Sequence, residues 1–448
     1  NVFNILEKGY GMLDKKKRKI SLLIFMAAAA VFGSGCSRKV LNYQIAECIG
    51  TLNQYENNEP VETPKMKAER EQRESEETVE KGRLEVLEQA QQQALSYRYE
   101  QAIATLESSE ELKDDERAKE AMAEYQKQLD SMYEYDGDIG HLCFTNLVVD
   151  TKLAFDEDEY SPVYRQNMIT LEEFTNILNT LYESGYVLID IHTLVQENGE
   201  GNDAVMSAKL PRLPQGKKPI IFSVENLDYS SVRNGDGVAT RLVLDENGEV
   251  GAKYTDDGGH DLIGAYDVVP VLEQFIEEHP DFSFQNARGI ISVSGANGVF
   301  GYQVEEGKTT DYKENQETVK QIASKLSEAG WSFAAQGYSY QYLGNMSYED
   351  LKTDITKWES VVGSLLGDCD ILMLPYGSEV DYATEKAQFL ISEGFHYMIG
   401  MWSDGDHLEV NETYLRQTRR TVTGYVFENY PGNFSKYFAT ADILDSAR

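Results

Sequence analysis

Histidine is scarce in this chain. His141, His192, His260, His279, His396 and His407 are the 6 among 448 residues, and no two stand at helical or strand ligand spacing. A zinc site built on paired imidazoles is therefore not legible. Cysteine is equally sparse, with Cys36, Cys48, Cys143 and Cys369. None falls in a CxxC spacing, which leaves out a zinc knuckle and a dithiol redox pair. A Cys143–Cys369 disulfide stays open. Basic residues are few: 41 Lys and Arg face 76 Asp and Glu, a formal net charge of −35. Such a surface repels phosphate backbones and excludes nucleic acid as a partner. It suits a soluble exterior that handles neutral or cationic ligands.

The chain has the length and apolar content (41% hydrophobic, 11% aromatic) for a large core and two or three structural units. Met12 opens "MLDKKKRKISLLIFMAAAAVFGSGCSRK", a basic region, a short apolar run, small residues and a cysteine. The run is too short for a comfortable membrane span and reads as a secretory signal. The cysteine after "GSG" resembles a bacterial lipoprotein site, with Cys36 as the lipidated residue, although Gly33 stands where a larger aliphatic residue is usual. Residues 12–36 are thus expected to be the signal peptide and residues 1–11 upstream translation. The resemblance places the protein on the extracellular face of the cytoplasmic membrane, with the membrane as a partner through the lipid.

Residues 37–77 read as a flexible linker, rich in Glu, Lys and Asn from about Asn53 onward. Residues 78–135 turn helical: Leu84, Leu87, Ala90 and Ala94 recur at helical spacing, and "YEQAIATLE" (Tyr99 to Glu107) resembles the second helix of a tetratricopeptide-type hairpin. A protein partner at this hairpin is one reading; a stalk packed on the next domain is the other.

From residue 136 to 448 strand-like and helix-like segments alternate. "HLCFTNLVV" reads as a strand. "TLEEFTNILNTLYESG" reads as a helix, capped by Thr170 with Glu173 completing the box, faced by Phe174, Ile177, Leu178 and Leu181, and stopped by Gly185. "KPIIFSV", "GIISVSG", "WSFAAQG", "DILMLPYG" and "FHYMIGM" are further strands with helices between them. "DENGE" (Asp245 to Glu249) reads as a hairpin turn, not a calcium loop. Repeated βα units with glycine-marked joints predict an α/β fold, a closed or nearly closed (β/α) barrel, with function at the carboxyl ends of its strands.

The order of "TLEEFTNILNTLYESGYVLI", "LPQGKKPIIFSVENLDY", "FIEEHPDFSF", "AGWSFAAQGYSY", "DILMLPYG" and "RRTVTGY" resembles the polysaccharide deacetylase family of carbohydrate esterases, most closely its long lipoprotein-type members. The resemblance runs from about Gly140 to Arg448. It implies a distorted (β/α) barrel that deacetylates cell-wall or related glycans. It also implies a general-base aspartate, a metal-binding aspartate and two metal-binding histidines, which activate a water on a divalent ion.

This sequence departs at each of those positions. Glu225 stands at the base position, Asn226 at the metal-binding aspartate, and Gln336 and Tyr340 at the histidines. The arginine usual before the "PYG" segment is replaced by Leu374. Two amides and a phenol do not make a zinc site, so no cofactor is expected unless other residues rebuild one. His407 with Asp404 and Asp406 is the remaining candidate for a hard cation. Tyr229, Trp331, Tyr338, Tyr340, Tyr376 and Trp402 are candidate sugar platforms, with Glu225, Asn226, Gln336 and Asp404 available for hydroxyls. Three readings follow: a metal-free glycan-binding pseudoenzyme, a hydrolase using Glu225 as base, and a protein-interaction scaffold acting through the helical hairpin.

Overall fold

The structure is a computed structural model that describes residues 63–199, 205–230, 233–401 and 405–448. The leader, Cys36, Cys48, Trp402 and Asp404 lie outside the described residues. The chain divides into two compact units, Asn1–Lys81 and Gly82–Arg448. Among the described residues no helix is long and apolar enough to cross a membrane.

Helix α1 (Pro64–Leu95) corrects the expected linker: residues 64–77 are helical. Proline sits at its first position, where its missing N–H costs nothing. Pairs one turn apart, Lys65–Glu69 at 3.8 Å, Lys67–Glu71 at 3.6 Å and Arg70–Glu74 at 2.9 Å, support its charged first turns. Charge-rich composition looks like linker, but its spacing is helical.

In the second unit α1 continues beside α2 (Tyr99–Glu107) and α3 (Glu116–Ser131). The expected hairpin is therefore part of a three-helix arrangement. Its core is made of small and medium side chains, Ala90, Ala102, Leu106, Leu112 and Ala118. Tyr97, Tyr99 and Met132 join a larger cluster with Ile139, Val187 and Phe284, so this segment is packed on the barrel's amino end.

The barrel strands are β1 (Gly140–Phe144), β2 (Tyr186–Leu188) and β3 (Lys218–Val224), then, after a meander of β4 (Arg241–Leu244), β5 (Val250–Thr255) and β6 (Asp261–Gly264), β7 (Ile290–Val293), β8 (Ser332–Ala335), β9 (Ile371–Met373), β10 (Tyr397–Met401) and β11 (Leu415–Thr421). Strands β7-β8-β9-β10-β11-β1-β3 are all parallel, and β3 closes the ring by pairing Ser223 and Val224 with Ile290 and Ile291. The remaining strand, β2, uses the lower part of the same β3 edge, Lys218 to Ile220. Seven strands thus close the expected (β/α) barrel, and the shared edge is its distortion. The helix Leu171–Glu183 between β1 and β2 carries the expected box: Glu173 N donates to Thr170 Oγ1 at 3.1 Å and Thr170 N to Glu173 Oε2 at 2.8 Å. "DENGE" is the β4–β5 turn, closed by Asp245 N donating to Glu249 O at 2.8 Å.

The period of two along each strand sorts side chains into two layers. Leu142, Phe144, Phe222, Val224, Ile291, Phe333 and Leu372 face the helices in one cluster. Ile221, Ile290, Ala334, Ile371, Met373, Ile399 and Leu415 fill the barrel in another. Above them the interior turns polar. His141 Nε2 lies 2.8 Å from Ser223 Oγ and Nδ1 donates to Gln417 Oε1 at 3.1 Å. Burial drives the His141 pKa down to about 3, so the ring is neutral. Cys143 and Cys369 are both free, which settles the open disulfide.

Candidate active site at the carboxyl end of the barrel

One step further along the same inward-facing positions stand Glu225 after β3, Gln336 after β8 and Arg419 on β11. All three are buried. Arg419 is the residue that sequence reasoning missed. Its Nη2 donates to Glu225 Oε1 at 2.9 Å and its Nε to Oε2 at 3.3 Å. The rest of the guanidinium donates to the Leu374 and Ile399 carbonyls, both at 3.1 Å. Leu374 thus accepts a hydrogen bond from an arginine on another strand. Burial, the largest single influence, pulls the Arg419 pKa down, but the charge and hydrogen bond of Glu225 together with Cys143 and Tyr340 hold the group above its ordinary value.

The two positions expected for histidines also turn toward Glu225. Gln336 Nε2 and Tyr340 Oη each donate to Glu225 Oε1 at 3.1 Å. Cys143 Sγ lies 3.5 Å from Oε2, its thiol pushed up to about 12 by burial first and the Glu225 charge second. Gln336 Oε1 in turn accepts from the Asn226 N–H at 3.3 Å. Both carboxylate oxygens are therefore engaged by donors. Asn226 Oδ1, by contrast, is buried with no donor.

The divalent ion that the family resemblance implies does not fit this donor set. Gln336 and Tyr340 present donors to Glu225 rather than lone pairs to a cation, and Arg419 already holds a positive charge against the carboxylate. Among the described residues no group of three His, Cys, Asp or Glu could hold a metal. Asp406 is tied to Arg420 at 2.7 Å and to Lys436 at 3.1 Å, so His407 gains no free carboxylate from it.

Around Glu225 opens a hollow of about 660 Å³ lined by Asn146, Asn226, Arg233, Tyr340, Tyr376 and Tyr425, among others. Asn226, Tyr340 and Tyr376 all hold positive φ, at 60°, 51° and 55°. Non-glycine residues adopt this region at a cost of roughly 1–3 kcal/mol each, and here it turns three side chains into one space. Tyr376 is 46% exposed and stacks on Tyr342 with centroids 4.5 Å apart and planes at 20°. Tyr340 packs against Tyr376 as well, with ring centroids 5.0 Å apart.

Three expected platforms do not reach the hollow. Tyr229 is buried in the outer core, with its phenol facing Asp267. Tyr338 is held by Glu305 and Lys308 beneath Lys357. Trp331 opens β8 at the amino end, and its indole donates to Glu273 at 2.6 Å. Aromatic residues beside a strand do not declare which face they take, and each of these was claimed by packing or a carboxylate. Tyr342, Tyr425 and Arg233 were missed because they lie on loops or on a helix with no regular period. Arg419 did carry a signal: in "LRQTRRT" the alternation Leu415, Gln417, Arg419 marks an inward polar face.

No family model and no curated protein matches this chain. Among solved structures, it is similar to the Streptococcus pyogenes deacetylase PplD in complex with acetate, at 11% identity over 64% of this chain and 93% of that one, with a TM-score of 0.36. It is similar to the proposed polysaccharide deacetylase BA0330 from Bacillus anthracis at 11% identity, over 70% and 69% of the two chains, TM-score 0.35. The 4-alpha-glucanotransferase from Thermococcus litoralis shares 14% identity over 37% and 25%, TM-score 0.24. Likenesses this faint assign neither a family nor a site residue.

The buried pair sets a stability test. Glu225→Gln or Arg419→Met alone should cost roughly 3–5 kcal/mol, because each leaves an uncompensated buried charge. The double variant should recover a large part of that loss. Urea unfolding midpoints of the four proteins measure it; additive single losses would show that the two groups do not depend on each other.

Proposed function

We propose that this chain is a polysaccharide deacetylase-family protein that binds extracellular glycan at the barrel mouth without metal-assisted hydrolysis. The observation that carries the reading is the engagement of Glu225 by Arg419, Gln336 and Tyr340. A general base must accept a proton from a positioned water, and a carboxylate whose oxygens already face a guanidinium, an amide and a phenol is poorly disposed to do so. The same geometry argues against a hydrolase that relies on Glu225.

Binding is favoured by what surrounds the pair. Sugar rings present C–H faces that sit well on flat aromatic rings with a polar tip. The stacked, half-exposed Tyr342 and Tyr376 offer such a surface beside the hollow. The donor-less Asn226 Oδ1 supplies an acceptor for a ligand hydroxyl or N–H. The location belongs to the proposal as well: lipidation of Cys36 would hold the barrel at the outer face of the cytoplasmic membrane, within reach of envelope glycan.

Purified protein should carry no stoichiometric transition metal and should release no acetate from acetylated oligosaccharides with or without added zinc; turnover that follows bound zinc would defeat the reading. Tyr376→Ala should weaken binding of glycan oligomers roughly tenfold, the scale of one lost aromatic contact, as read by calorimetry; unchanged affinity would remove the platform. Full-length protein expressed in a Gram-positive host should fractionate with membranes, and Cys36→Ser should move it to the soluble fraction. A variant that stays membrane-bound would exclude the lipid anchor.

A further inference from the structure

The glycan that this cleft takes has a charge preference opposite to that suggested by the whole chain. Two hollows meet at the mouth, of about 660 and 560 Å³, and share Met401, Arg419, Thr421, Tyr425 and Val426. Their described lining holds one carboxylate, Glu225, and three guanidinium groups, Arg233, Arg419 and Arg420. Two of the cations are neutralised, Arg419 by Glu225 at 2.9 Å and Arg420 by Asp406 at 2.7 Å.

Arg233 is not. Its Nη1 donates to Asn146 Oδ1 at 3.0 Å, and among the described residues no carboxylate lies within the 4.0 Å ion-pair distance. The nearby Asp236 accepts from Tyr164 Oη at 2.5 Å instead. Asn146 is fixed as well, since its Nδ2 donates to the buried Asp267 Oδ2 at 2.8 Å. Asp267 is itself held by the Leu147 and Val268 N–H groups at 3.0 and 2.8 Å. The Asn146 oxygen is therefore presented to Arg233 and orients the guanidinium without cancelling its charge. The rest of the fork is left for a ligand, and a guanidinium fork matches carboxylate and phosphate oxygens.

Resting on the glycan reading above, we infer that the cleft takes a sugar chain bearing an anionic group, a carboxylate or a phosphate, with Arg233 as its counter-ion. Tyr376 and Tyr342 carry ring faces on one side of the hollow. Asn226 Oδ1 accepts a sugar donor in the middle, and the anionic substituent lies toward Asn146. The Glu225–Arg419 pair contributes no net charge, so among the described lining residues Arg233 sets the sign. The acidity of the whole chain, which by itself suggests neutral or cationic ligands, belongs to other surfaces.

The test compares three oligomers of one length by calorimetry: a β-linked glucose hexamer, the same hexamer oxidised to carboxylates at its primary hydroxyls, and a phosphorylated form. At least one anionic form should bind roughly tenfold more tightly than the neutral one, as expected for a charge-assisted bond. The tighter of the two identifies the group. Arg233→Gln should bring the anionic oligomers to the level at which the same variant binds the neutral one. Arg233→Lys, which keeps the charge without the fork, should retain part of the preference. A neutral hexamer that binds as well as both anionic forms, or a preference that survives Arg233→Gln, overturns this inference and leaves the glycan reading standing. Failure of the parent protein to bind any of the three sinks both.

Discussion

A carboxylate buried at the mouth of a barrel must have a positive charge beside it, and the rest of this site follows from how that need is met. Glu225 is taken out of water at large cost unless paired and hydrogen-bonded. The family that the sequence resembles meets such a need with a dissociable divalent ion. Here Arg419 meets it with a side chain that is wholly buried and covalently part of β11. The guanidinium also satisfies carbonyls after β9 and in β10, Leu374 and Ile399. With Gln336 after β8 and Glu225 after β3, one ionic cluster ties five strands at their carboxyl ends. The other substitutions then make sense together. Once the cation is a guanidinium, neighbours that donate hydrogen bonds to the carboxylate are more useful than neighbours that donate lone pairs to a metal.

The cluster also accounts for the strained backbone around it. Tyr340 holds a left-handed conformation that a bulky residue seldom adopts. It is kept there by its hydrogen bond to Glu225 and by packing on Tyr376, itself at positive φ. Strain of this kind persists where surrounding contacts over-determine it. The result is a pair of exposed tyrosines beside the hollow, next to a Glu225–Arg419 pair whose charges cancel each other.

Much of the scaffold was legible in the sequence because it repeats physical rules that act locally. The capping box at Thr170 and Glu173, the stop at Gly185 and the turn at Asp245 to Glu249 each depend on residues a few positions apart. The strand after "LPQGKK" was readable from its apolar run. The site was legible only in part. Glu225, Asn226, Gln336 and Tyr340 do converge, yet the reading of Leu374 could not reveal that Arg419 bonds its carbonyl from 45 residues away in the chain. Long-range compensation leaves no local trace except the polar alternation of β11. Tyr229 and Tyr338 failed as platforms for the opposite reason: their chemistry was right, but a tyrosine's face is decided by its tertiary neighbours, Asp267 in one case and Glu305 in the other. The helix over residues 64–77 was missed because charge density was weighed and charge spacing was not.

The titration of the barrel interior bears on what chemistry this mouth can support. Hydrolysis at neutral pH calls for a group that exchanges its proton near the working pH, or for a metal that makes one of water. The displaced groups in this interior all move away from neutrality. His141 is driven down to about 3 by burial and stays neutral. Cys143 is pushed up to about 12 by burial and by Glu225. Tyr340 is raised by burial and by the same carboxylate, and Arg419 is held above its ordinary value despite burial. Each shift stabilises the protonation state that lets the group serve as a fixed donor or a fixed charge. These four groups, His141, Cys143, Tyr340 and Arg419, therefore each keep one protonation state near neutral pH.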